Sequence, residues 1–422
     1  MTATGEAALD VTRLRARFPA LTRRVGDEAA VYLDGPGGSQ APDTVVRAVA
    51  DYLESHNANT DGPFVTSVAT DDLLEEARLA AADFLGSEPD EIVFGANTTT
   101  INFLLAHALA RTLQPGDEVI VTELDHEANV SPWLLIAADR GLTVKTAPLN
   151  TDDGTLDLAA LEELITPRTR VVACTLASNA IGSLTDVARV ANAVHATGSL
   201  LWLDGVHLAP HRRLDRVGLG ADVLLTSAYK YFGPHIGVAA VRKDLAASLP
   251  ADRVRPADET PAGHRFETGT LCHEAIAGFV AAVEYLESLA VEGSNRSARL
   301  DSAFRRIAAH ESELTRHTLG RLSELPGCTV YGISEPDRLH ERTPTFCLNL
   351  DGWTPHALSA KLGERGIFTY HGNYYALGAM TALGLEPGGA VRAGYLHYTT
   401  MEEAERFCAA VAELADRRPF SR

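Results

Sequence analysis

The residue with the clearest chemical potential is a lysine that follows an apolar, β-branched stretch. The stretch Asp222–Thr226 leads into Ser227-Ala-Tyr229-Lys230, and an aromatic-Gly-Pro turn comes next. We expect this turn to surround the amine of Lys230 with hydroxyl and aromatic groups. Desolvation lowers the pKa of a lysine and frees its amine as a nucleophile toward a carbonyl. Taken alone, the same lysine would be an ordinary surface charge.

Four other apolar stretches also end in residues that could bind a ligand. Glu91–Phe94 is followed by Gly95-Ala-Asn97-Thr98 at the start of a predicted helix. Free N–H groups and hydroxyls at such a place can hold an anion, although Thr98 could also be a plain N-cap. The other three stretches are Glu118–Thr122, which is followed by His126, Arg170–Thr175, which is followed by Asn179, and Leu200–Asp204, which ends in Asp204 and is followed by His207.

Considered together, the residues at these five strand ends indicate one kind of ligand far more specifically than any of them does alone. Pyridoxal phosphate needs a phosphate cradle, a ring stacker, a donor to its phenolic oxygen, an anion for its ring nitrogen and a Schiff-base lysine. A metal site formed by Asp204, His207 and His211 is an alternative, but Pro210 breaks the helical spacing that such a site favours. We therefore expect pyridoxal 5'-phosphate and no metal.

The elements that must position these residues alternate along the chain from about Val31 to Leu249. Short, continuously apolar runs such as Arg170–Thr175 and Leu200–Asp204 are separated by helical patterns such as Thr185–Thr197. Continuous apolarity predicts strands that are covered on both faces, and the alternation indicates an α/β domain with a largely parallel sheet. Ligands of such sheets bind beyond the carboxyl ends of the strands.

The pattern changes in the last third of the chain. Asp301–Leu325 predicts one long amphipathic helix, and shorter strands and helices typical of a smaller α+β domain follow it. We predict an N-terminal segment, residues 1–30, that packs with the small domain. A large cofactor-binding domain would span residues 31–292, and a small C-terminal domain residues 293–422.

Composition argues against several other classes of function. Lys plus Arg number 37 and Asp plus Glu number 56, and the net charge of −19 opposes binding to nucleic acid. The sequence has no apolar run of about 18 residues and no signal-peptide pattern, so we expect no membrane association. Its five cysteines are scattered and never form a CxxC pair, which favours a cytoplasmic protein without a disulfide framework.

From Tyr32-Leu-Asp-Gly-Pro-Gly-Gly-Ser39 to Val391-Arg392-Ala-Gly-Tyr395 the chain resembles the class V aminotransferase family. These are fold-type I pyridoxal-phosphate enzymes, and the likeness is strongest to their cysteine desulfurase-like subfamily. The resemblance implies a large domain with a mainly parallel sheet of the seven-stranded type, flanked by helices, and a smaller C-terminal α+β domain. Arg265–Thr270 looks like the loop that completes a partner subunit's phosphate site, which implies a homodimer with the active site at the subunit interface.

The resemblance also implies a role for each strand-end residue. Lys230 would form the internal aldimine, Asp204 would keep the pyridinium nitrogen protonated, and His126 would stack on the ring, so these three are the predicted catalytic residues. Arg392 would clamp the α-carboxylate of the substrate. The other predicted cofactor-binding residues are Asn97, Thr98, Asn179, His207, Ser227, Tyr229 and Thr270. Asn179 would sit by the phenolic oxygen, His207 stands where desulfurases usually have glutamine, and Tyr229 stands where histidine is usual.

One loop departs from the desulfurase pattern. In desulfurases the loop that matches Thr369–Ala376 carries the cysteine that forms the persulfide, and here Tyr375 falls at that position. A phenol cannot carry sulfane sulfur, so the sulfur-transfer half of the site is missing. We predict instead that Tyr375, Tyr374 and His371 contact the substrate. Cys272 lies close to the phosphate-completing loop in the sequence.

The expected activity is that of a PLP-dependent lyase or transferase that acts on an amino acid through an external aldimine. We favour β-elimination, a C–S lyase reaction on cysteine or an S-substituted cysteine, because the resemblance is to enzymes that break C–S bonds. Transamination or epimerisation is one alternative. Cysteine desulfuration with Cys272 or an external thiol as acceptor is another, and a non-catalytic PLP-fold binding protein is a third.

Overall fold

The computed structural model describes residues 8–257 and 259–417. The predicted N-terminal segment and small domain therefore extend, at residues 1–7 and 418–422, beyond the described residues. Within the described residues the α-helices are α1 Val11–Arg15, α2 Asp43–Ser55, α3 Val65–Leu85, α4 Thr98–Ala110, α5 Ser131–Arg140, α6 Leu158–Leu164, α7 Val187–His195, α8 Lys243–Ser248, α9 His273–Glu287, α10 Arg296–Ser323, α11 Pro355–Glu364, α12 Leu377–Ala382 and α13 Met401–Asp416.

The strands of the described residues are β1 Arg24–Val25, β2 Glu28–Ala29, β3 Val31–Tyr32, β4 Ile92–Gly95, β5 Glu118–Thr122, β6 Thr143–Ala147, β7 Thr169–Thr175, β8 Leu200–Asp204, β9 Val223–Ser227, β10 Gly237–Val241, β11 Cys328–Tyr331, β12 Thr345–Leu350, β13 Ile367–Phe368, β14 Tyr370–Gly372 and β15 Ala390–Gly394. Among these residues no helix is both long enough and apolar enough to cross a membrane.

The large sheet has seven strands in the order β4-β10-β9-β8-β7-β5-β6. Strand β10 runs antiparallel to both of its neighbours, and the other neighbouring pairs are parallel. Val171 and Ala173 of β7 pack into one apolar cluster, while Val172 and Cys174 pack into another on the opposite face. Burial on both faces explains why the strand sequences are continuously apolar, and the predicted α/β fold with a mainly parallel seven-stranded sheet is confirmed.

Helix α4 begins one residue away from the expected cap. Asn97, not Thr98, is the N-cap, and its side-chain oxygen accepts a hydrogen bond from the Thr100 N–H at 2.9 Å. Asparagine is at least as good a cap as threonine. The hydroxyl of Thr98 is therefore left free to bond Ser227 at the end of β9.

The C-terminal part contains a four-stranded antiparallel sheet in the order β11-β12-β15-β14, next to α10, α11 and α13. The predicted long helix begins at Arg296 rather than Asp301, because Asn295 caps it by accepting from the Ala298 N–H. This arrangement confirms the smaller α+β unit. Its limits, like the other domain limits given above, stay predictions.

The beginning of the chain is tied to the C-terminal part. Val31 and Tyr32 of β3 pair in parallel with Ile367 and Phe368 of β13, and a backbone bridge joins Asp34 to Gly394. The first strand in the range predicted for the large domain, β3, thus pairs with a strand of the range predicted for the small domain. This pairing brings the following loop, residues 35–38, beside Lys230.

Gly237 permits the close contact between β10 and the start of α4. A Cβ atom on Gly237 would lie 2.5 Å from the carbonyl carbon of Asn97 and 2.8 Å from its Cα. We expect Gly237→Ala to lower the free energy of unfolding by about 1–3 kcal/mol, because backbone would have to move. Gly320→Ala, in an exposed and open part of α10, is the matched control and should raise it by up to about 1 kcal/mol. Chemical denaturation followed by circular dichroism measures both, and equal stabilities would contradict this account of the contact.

Candidate active site

The strand-end residues line one cleft of about 1270 Å³ at the carboxyl edge of the large sheet. The large domain contributes Asn97, Thr98, His126, Asn179, Asp204, His207, Ser227, Tyr229 and Lys230, and the C-terminal part contributes His371, Tyr374, Tyr375 and Arg392. Thr270 is not among the described residues that line this cleft, and it is exposed. Its predicted role toward a partner subunit stays a prediction.

Lys230 follows β9 on a single short turn and is held by backbone carbonyls. Its Nζ donates hydrogen bonds to the carbonyl oxygens of Pro36 at 2.6 Å and Gly37 at 2.9 Å. Burial, assisted by the nearby charge of Arg392, lowers the pKa of Lys230 to about 7, and Asp204 acts in the opposite direction. A substantial share of the amine is therefore neutral and nucleophilic near neutral pH. The sequence alone did not indicate the two carbonyl partners.

Two carboxyl groups lie buried at the end of the sheet, and only one was predicted. Burial raises the pKa of Asp204 to about 6, although the hydrogen bond from the Val206 N–H at 2.9 Å and the charge of Lys230 act against this rise. Burial, with the adjacent Asp204, raises the pKa of Asp125 to about 8. Asp204 is thus mainly an anion at neutral pH, while Asp125 is mainly protonated.

Asp125 belongs to a buried network behind the cleft. Its carboxyl group bonds the Thr122 hydroxyl at 2.5 Å and accepts from Asn129 Nδ2 at 2.8 Å. Asn129 in turn bonds Asn102, whose side-chain oxygen accepts from the Trp202 indole at 2.8 Å. Its place directly before His126 is the only signal of this role that the sequence offers.

His126 presents a neutral ring to the cleft. Its Nδ1 accepts a hydrogen bond from the Ala128 N–H at 3.0 Å, which places the proton of the neutral ring on Nε2. Burial and the charges of Lys230 and Arg392 lower the pKa of His126 to about 4. An uncharged, oriented imidazole suits the predicted role of stacking on a flat ligand.

His207 and His211 have separate partners. His207 Nε2 bonds the Thr345 hydroxyl at 2.9 Å, and burial holds its pKa well below the usual value. His211 pairs with Glu311 at 3.0 Å, and Asp204 accepts from backbone. Among the described residues no group of three or more His, Cys, Asp or Glu side chains is arranged to hold a metal ion.

Arg392 on β15 is enclosed by aromatic rings. Its Nη1 donates to the carbonyl oxygen of Asn179 at 2.7 Å, and its guanidinium centre lies 4.4 Å from the ring centre of Tyr374 and 5.9 Å from that of Tyr370. Burial lowers the pKa of Arg392 to about 10, so the group remains cationic, and its Nε has no partner among the described residues. A desolvated cation with unused donors can hold a carboxylate.

Asn179 connects this cation to the loop at the mouth of the cleft. Its Nδ2 donates to the carbonyl oxygen of Tyr374 at 2.9 Å, and its buried Oδ1 has no partner within the described part of the chain. Asn179 was predicted to lie beside the phenolic oxygen of the cofactor, but its Nδ2 donor is already used by the loop that carries Tyr374. This side-chain oxygen remains available to a ligand.

The loop at the mouth contains two consecutive strained tyrosines. Tyr374 and Tyr375 have φ of 56° and 58°, a left-handed conformation that is uncommon for aromatic residues. The Glu127 N–H donates to the carbonyl oxygen of Tyr375 at 2.7 Å, and the Tyr374 hydroxyl donates to the carbonyl oxygen of Ala390. Tyr375 is 71% exposed, and the centre of its ring lies 5.5 Å from the centre of the His126 ring. His371, at the same mouth, bonds His356 at 3.1 Å.

The cysteines lie elsewhere. Cys174, Cys347 and Cys408 are buried, and Cys328 is partly buried. Cys272 is exposed, but neither it nor any other cysteine is among the described residues that line the cleft.

Comparison with known proteins gives a consistent result. The family model described as aminotransferase class-V matches residues 31–407. The chain is 32% identical to the aminotransferase-like protein FGM3 of Gibberella zeae, over 96% of this chain and 98% of that protein. It is 33% identical to a probable cysteine desulfurase of Halobacterium salinarum, over 98% of each. The apo structure of a cysteine desulfurase from Thermococcus onnurineus superposes with a TM-score of 0.86 at 27% identity, covering 98% of this chain and all of that one.

Asp125 should make stability depend on pH. Its pKa of about 8 in the folded protein exceeds the ordinary 3.8, so the folded protein keeps a proton that the unfolded chain has lost between about pH 4 and pH 8. The free energy of unfolding therefore falls as pH rises through this window. Asp125→Asn keeps a neutral hydrogen-bonding group, and we expect it to gain stability over the wild type by at most about 1.4 kcal/mol per pH unit.

Chemical denaturation at about pH 5 and about pH 8 measures this gain. Asp125→Ala is the control, because it removes the bonds to Thr122 and Asn129 and should be destabilising at both pH values. A constant difference between wild type and Asp125→Asn would show that Asp125 is ionised throughout.

Proposed function

The chain belongs to the class V aminotransferase family and is a pyridoxal 5'-phosphate-dependent enzyme, and from this membership we propose that it is a C–S lyase. The proposed substrate is an S-substituted cysteine, from which β-elimination releases a thiol. One observation carries the proposal: the cleft combines a buried lysine amine and a buried guanidinium, and no cysteine is among the described residues that line it.

The residues of the cleft fit the cofactor. The amine of Lys230 would bind its aldehyde carbon, the carboxylate of Asp204 its protonated ring nitrogen, and the face of His126 its ring. Thr98 and Ser227, at the capped start of α4, would hold its phosphate, and the unpartnered Oδ1 of Asn179 is a free acceptor in the same cleft. When bound, the cofactor supplies an electron sink for the charge left at the substrate α-carbon.

Arg392 would position the substrate. Its unused donors can bind the α-carboxylate in a bidentate manner, and the Tyr374 ring covers one face of the guanidinium. Burial strengthens such a pair because little water competes for either charge. The bond from Nη1 to the carbonyl of Asn179 fixes the orientation of the guanidinium.

Lys230 would move the protons. Its neutral amine can accept the α-proton at Nζ, since burial and Arg392 hold its pKa near 7. The resulting ammonium can return this proton to the departing sulfur. The carbonyls of Pro36 and Gly37, which accept hydrogen bonds from Nζ, keep the freed amine beside the cleft.

Elimination fits the mouth of the cleft better than sulfur transfer does. The hydroxyl of Tyr374 is occupied by the carbonyl of Ala390, but Tyr375 is exposed at the mouth and its hydroxyl can polarise a leaving sulfur. Cys272 lies outside the cleft lining, and partial desolvation raises the pKa of its largely exposed thiol. These facts weaken the alternative of desulfuration on an internal cysteine.

We further propose a cytoplasmic homodimer. Large apolar side chains are exposed on and beside α2 and α3, namely Val46, Leu53, Phe64, Val65 and Val68. Glu267 ties the loop before Thr270 to Arg78 and to the Phe94 N–H, while the loop tip at Thr268–Thr270 is exposed. A fixed loop with an exposed tip suits insertion into the cleft of a second copy.

The proposed reaction has a direct product test. Purified holoenzyme is incubated with L-cysteine and with a panel of S-substituted L-cysteines. The S-substituted substrates should release thiol, ammonia and pyruvate in equal amounts, and Lys230→Ala should release none. Alanine with a sulfur adduct on the protein would indicate desulfuration. A keto acid that retains sulfur would indicate transamination, and the D-enantiomer would indicate epimerisation. Each of these results, or the absence of any product, would overturn the proposal.

The clamp role of Arg392 predicts an effect on substrate affinity. We expect Arg392→Gln to raise KM by about 10–100-fold, the size expected for losing hydrogen bonds to a charged group. Arg189→Gln, which breaks an exposed pair with Glu162, is the control and should leave KM unchanged. Steady-state kinetics with the best substrate of the panel measure both. An unchanged KM in Arg392→Gln would assign carboxylate binding to another residue.

A further inference from the structure

A histidine outside the predicted site stacks on Tyr229 in the same cleft. The rings of His235 and Tyr229 are nearly parallel, with centres 4.9 Å apart and planes at 14°. Both residues line the cleft together with Asn97–Thr100. Within the described residues the structure gives no hydrogen-bonding partner to the ring nitrogens of His235 or to the hydroxyl of Tyr229. Their polar atoms are therefore available to a ligand.

The backbone holds His235 close to the start of α4. The residue lies two positions before Gly237, which pairs with Gly95 of β4 and with Ser227 of β9 and packs directly against Asn97. A further hydrogen bond joins the Ala228 N–H to the carbonyl oxygen of Ile236 at 2.8 Å. The backbone of this segment thus lies where two strand ends and one helix start converge, and the exposed His235 lines the same cleft as Thr98 and Ser227.

Charge balance at this end of the cleft favours a role for the imidazole. A phosphate monoester carries about −1.5 to −2 charges near neutral pH, whereas the hydroxyls of Thr98 and Ser227 are neutral and the helix start offers only about half a positive charge. The amine of Lys230 is needed for the aldehyde, and Arg392 is enclosed by Tyr374 at the substrate side. The imidazole of His235 can supply one further N–H donor to such a group.

The other histidines of the cleft are not suited to this task. His126 and His207 have lowered pKa values because they are buried, and His371 is paired with His356 at the mouth. The Tyr229 ring packs against His235, and Lys230 Nζ lies 5.2 Å from the centre of that ring.

We propose that His235 donates a hydrogen bond to the phosphate of the cofactor, with the Tyr229 ring holding its imidazole in place. This inference rests on the placement of the cofactor proposed above and not on the lyase reaction. It assigns phosphate recognition to a residue that the sequence analysis left out.

The test compares two ligands that differ only in the phosphate. Apoenzyme is titrated with pyridoxal 5'-phosphate and with pyridoxal, and the dissociation constants are obtained from absorbance. We expect His235→Gln to weaken binding of the phosphorylated ligand about 10-fold, as for one charge-assisted hydrogen bond, and to leave pyridoxal unchanged. His235→Lys places another N–H donor at this position and should retain most of the affinity. His340→Gln, an exposed histidine of the C-terminal part, is the control.

Two further results make the outcome unambiguous. Equal weakening for both ligands would mean that His235 only supports the fold, and no weakening would exclude it as a phosphate ligand. Thr98→Val tests the placement of the phosphate itself. If Thr98→Val loses the preference for the phosphorylated ligand but His235→Gln does not, only this inference fails. If neither variant loses it, the proposed placement of the cofactor fails as well.

Discussion

The chemistry proposed for this protein depends on the desolvation of one amine. Lys230 lies on the turn after a strand whose residues are all buried, and its Nζ donates hydrogen bonds to two backbone carbonyls. Burial alone would push a lysine pKa far down. Here Arg392 adds to the decrease and Asp204 opposes it, so the amine titrates near neutral pH. Lys230, Asp204 and Arg392 are also the groups proposed to bind the cofactor and the substrate carboxylate. The charges of Asp204 and Arg392 therefore help to set the pKa of Lys230.

The architecture explains how these charges meet. Parallel strands place their carboxyl ends at one edge of the sheet. Ser227, Asp204 and the turn after β5 therefore lie close together because of the sheet topology, and no contact between them has to be encoded separately. Arg392 arrives differently, on a strand of the second sheet. The backbone bridge between Asp34 and Gly394, the last residue of that strand, ties it to the loop that contacts Lys230, and the separate pairing of Val31 and Tyr32 with Ile367 and Phe368 supports this link. The beginning of the chain therefore joins the two halves of the site.

Sequence reasoning reached the strand-end residues because each follows a recognisable apolar run. It also found the α/β order and the long helix, since their periodicities are local properties. It missed Asp125, whose protonation depends on burial beside Asp204, and the carbonyls of Pro36 and Gly37, since backbone atoms leave no mark in residue types. Asn97 and Thr98 are both good N-cap residues, so the sequence did not determine that Asn97 would cap α4. His235 lay outside the predicted set because a lone histidine after a Gly-Pro turn carries no distinctive pattern.

The strained pair Tyr374–Tyr375 bears on what the cleft can accept. Two consecutive non-glycine residues in the left-handed region cost free energy and persist only where surrounding contacts impose them. The contacts are present on several sides: Asn179 bonds the carbonyl of Tyr374, Glu127 bonds that of Tyr375, and Ala390 receives the Tyr374 hydroxyl. A segment fixed in this way forms one wall at the mouth of the cleft. Selectivity would then come from the shape between this wall and His371, into which a substituent on sulfur must fit.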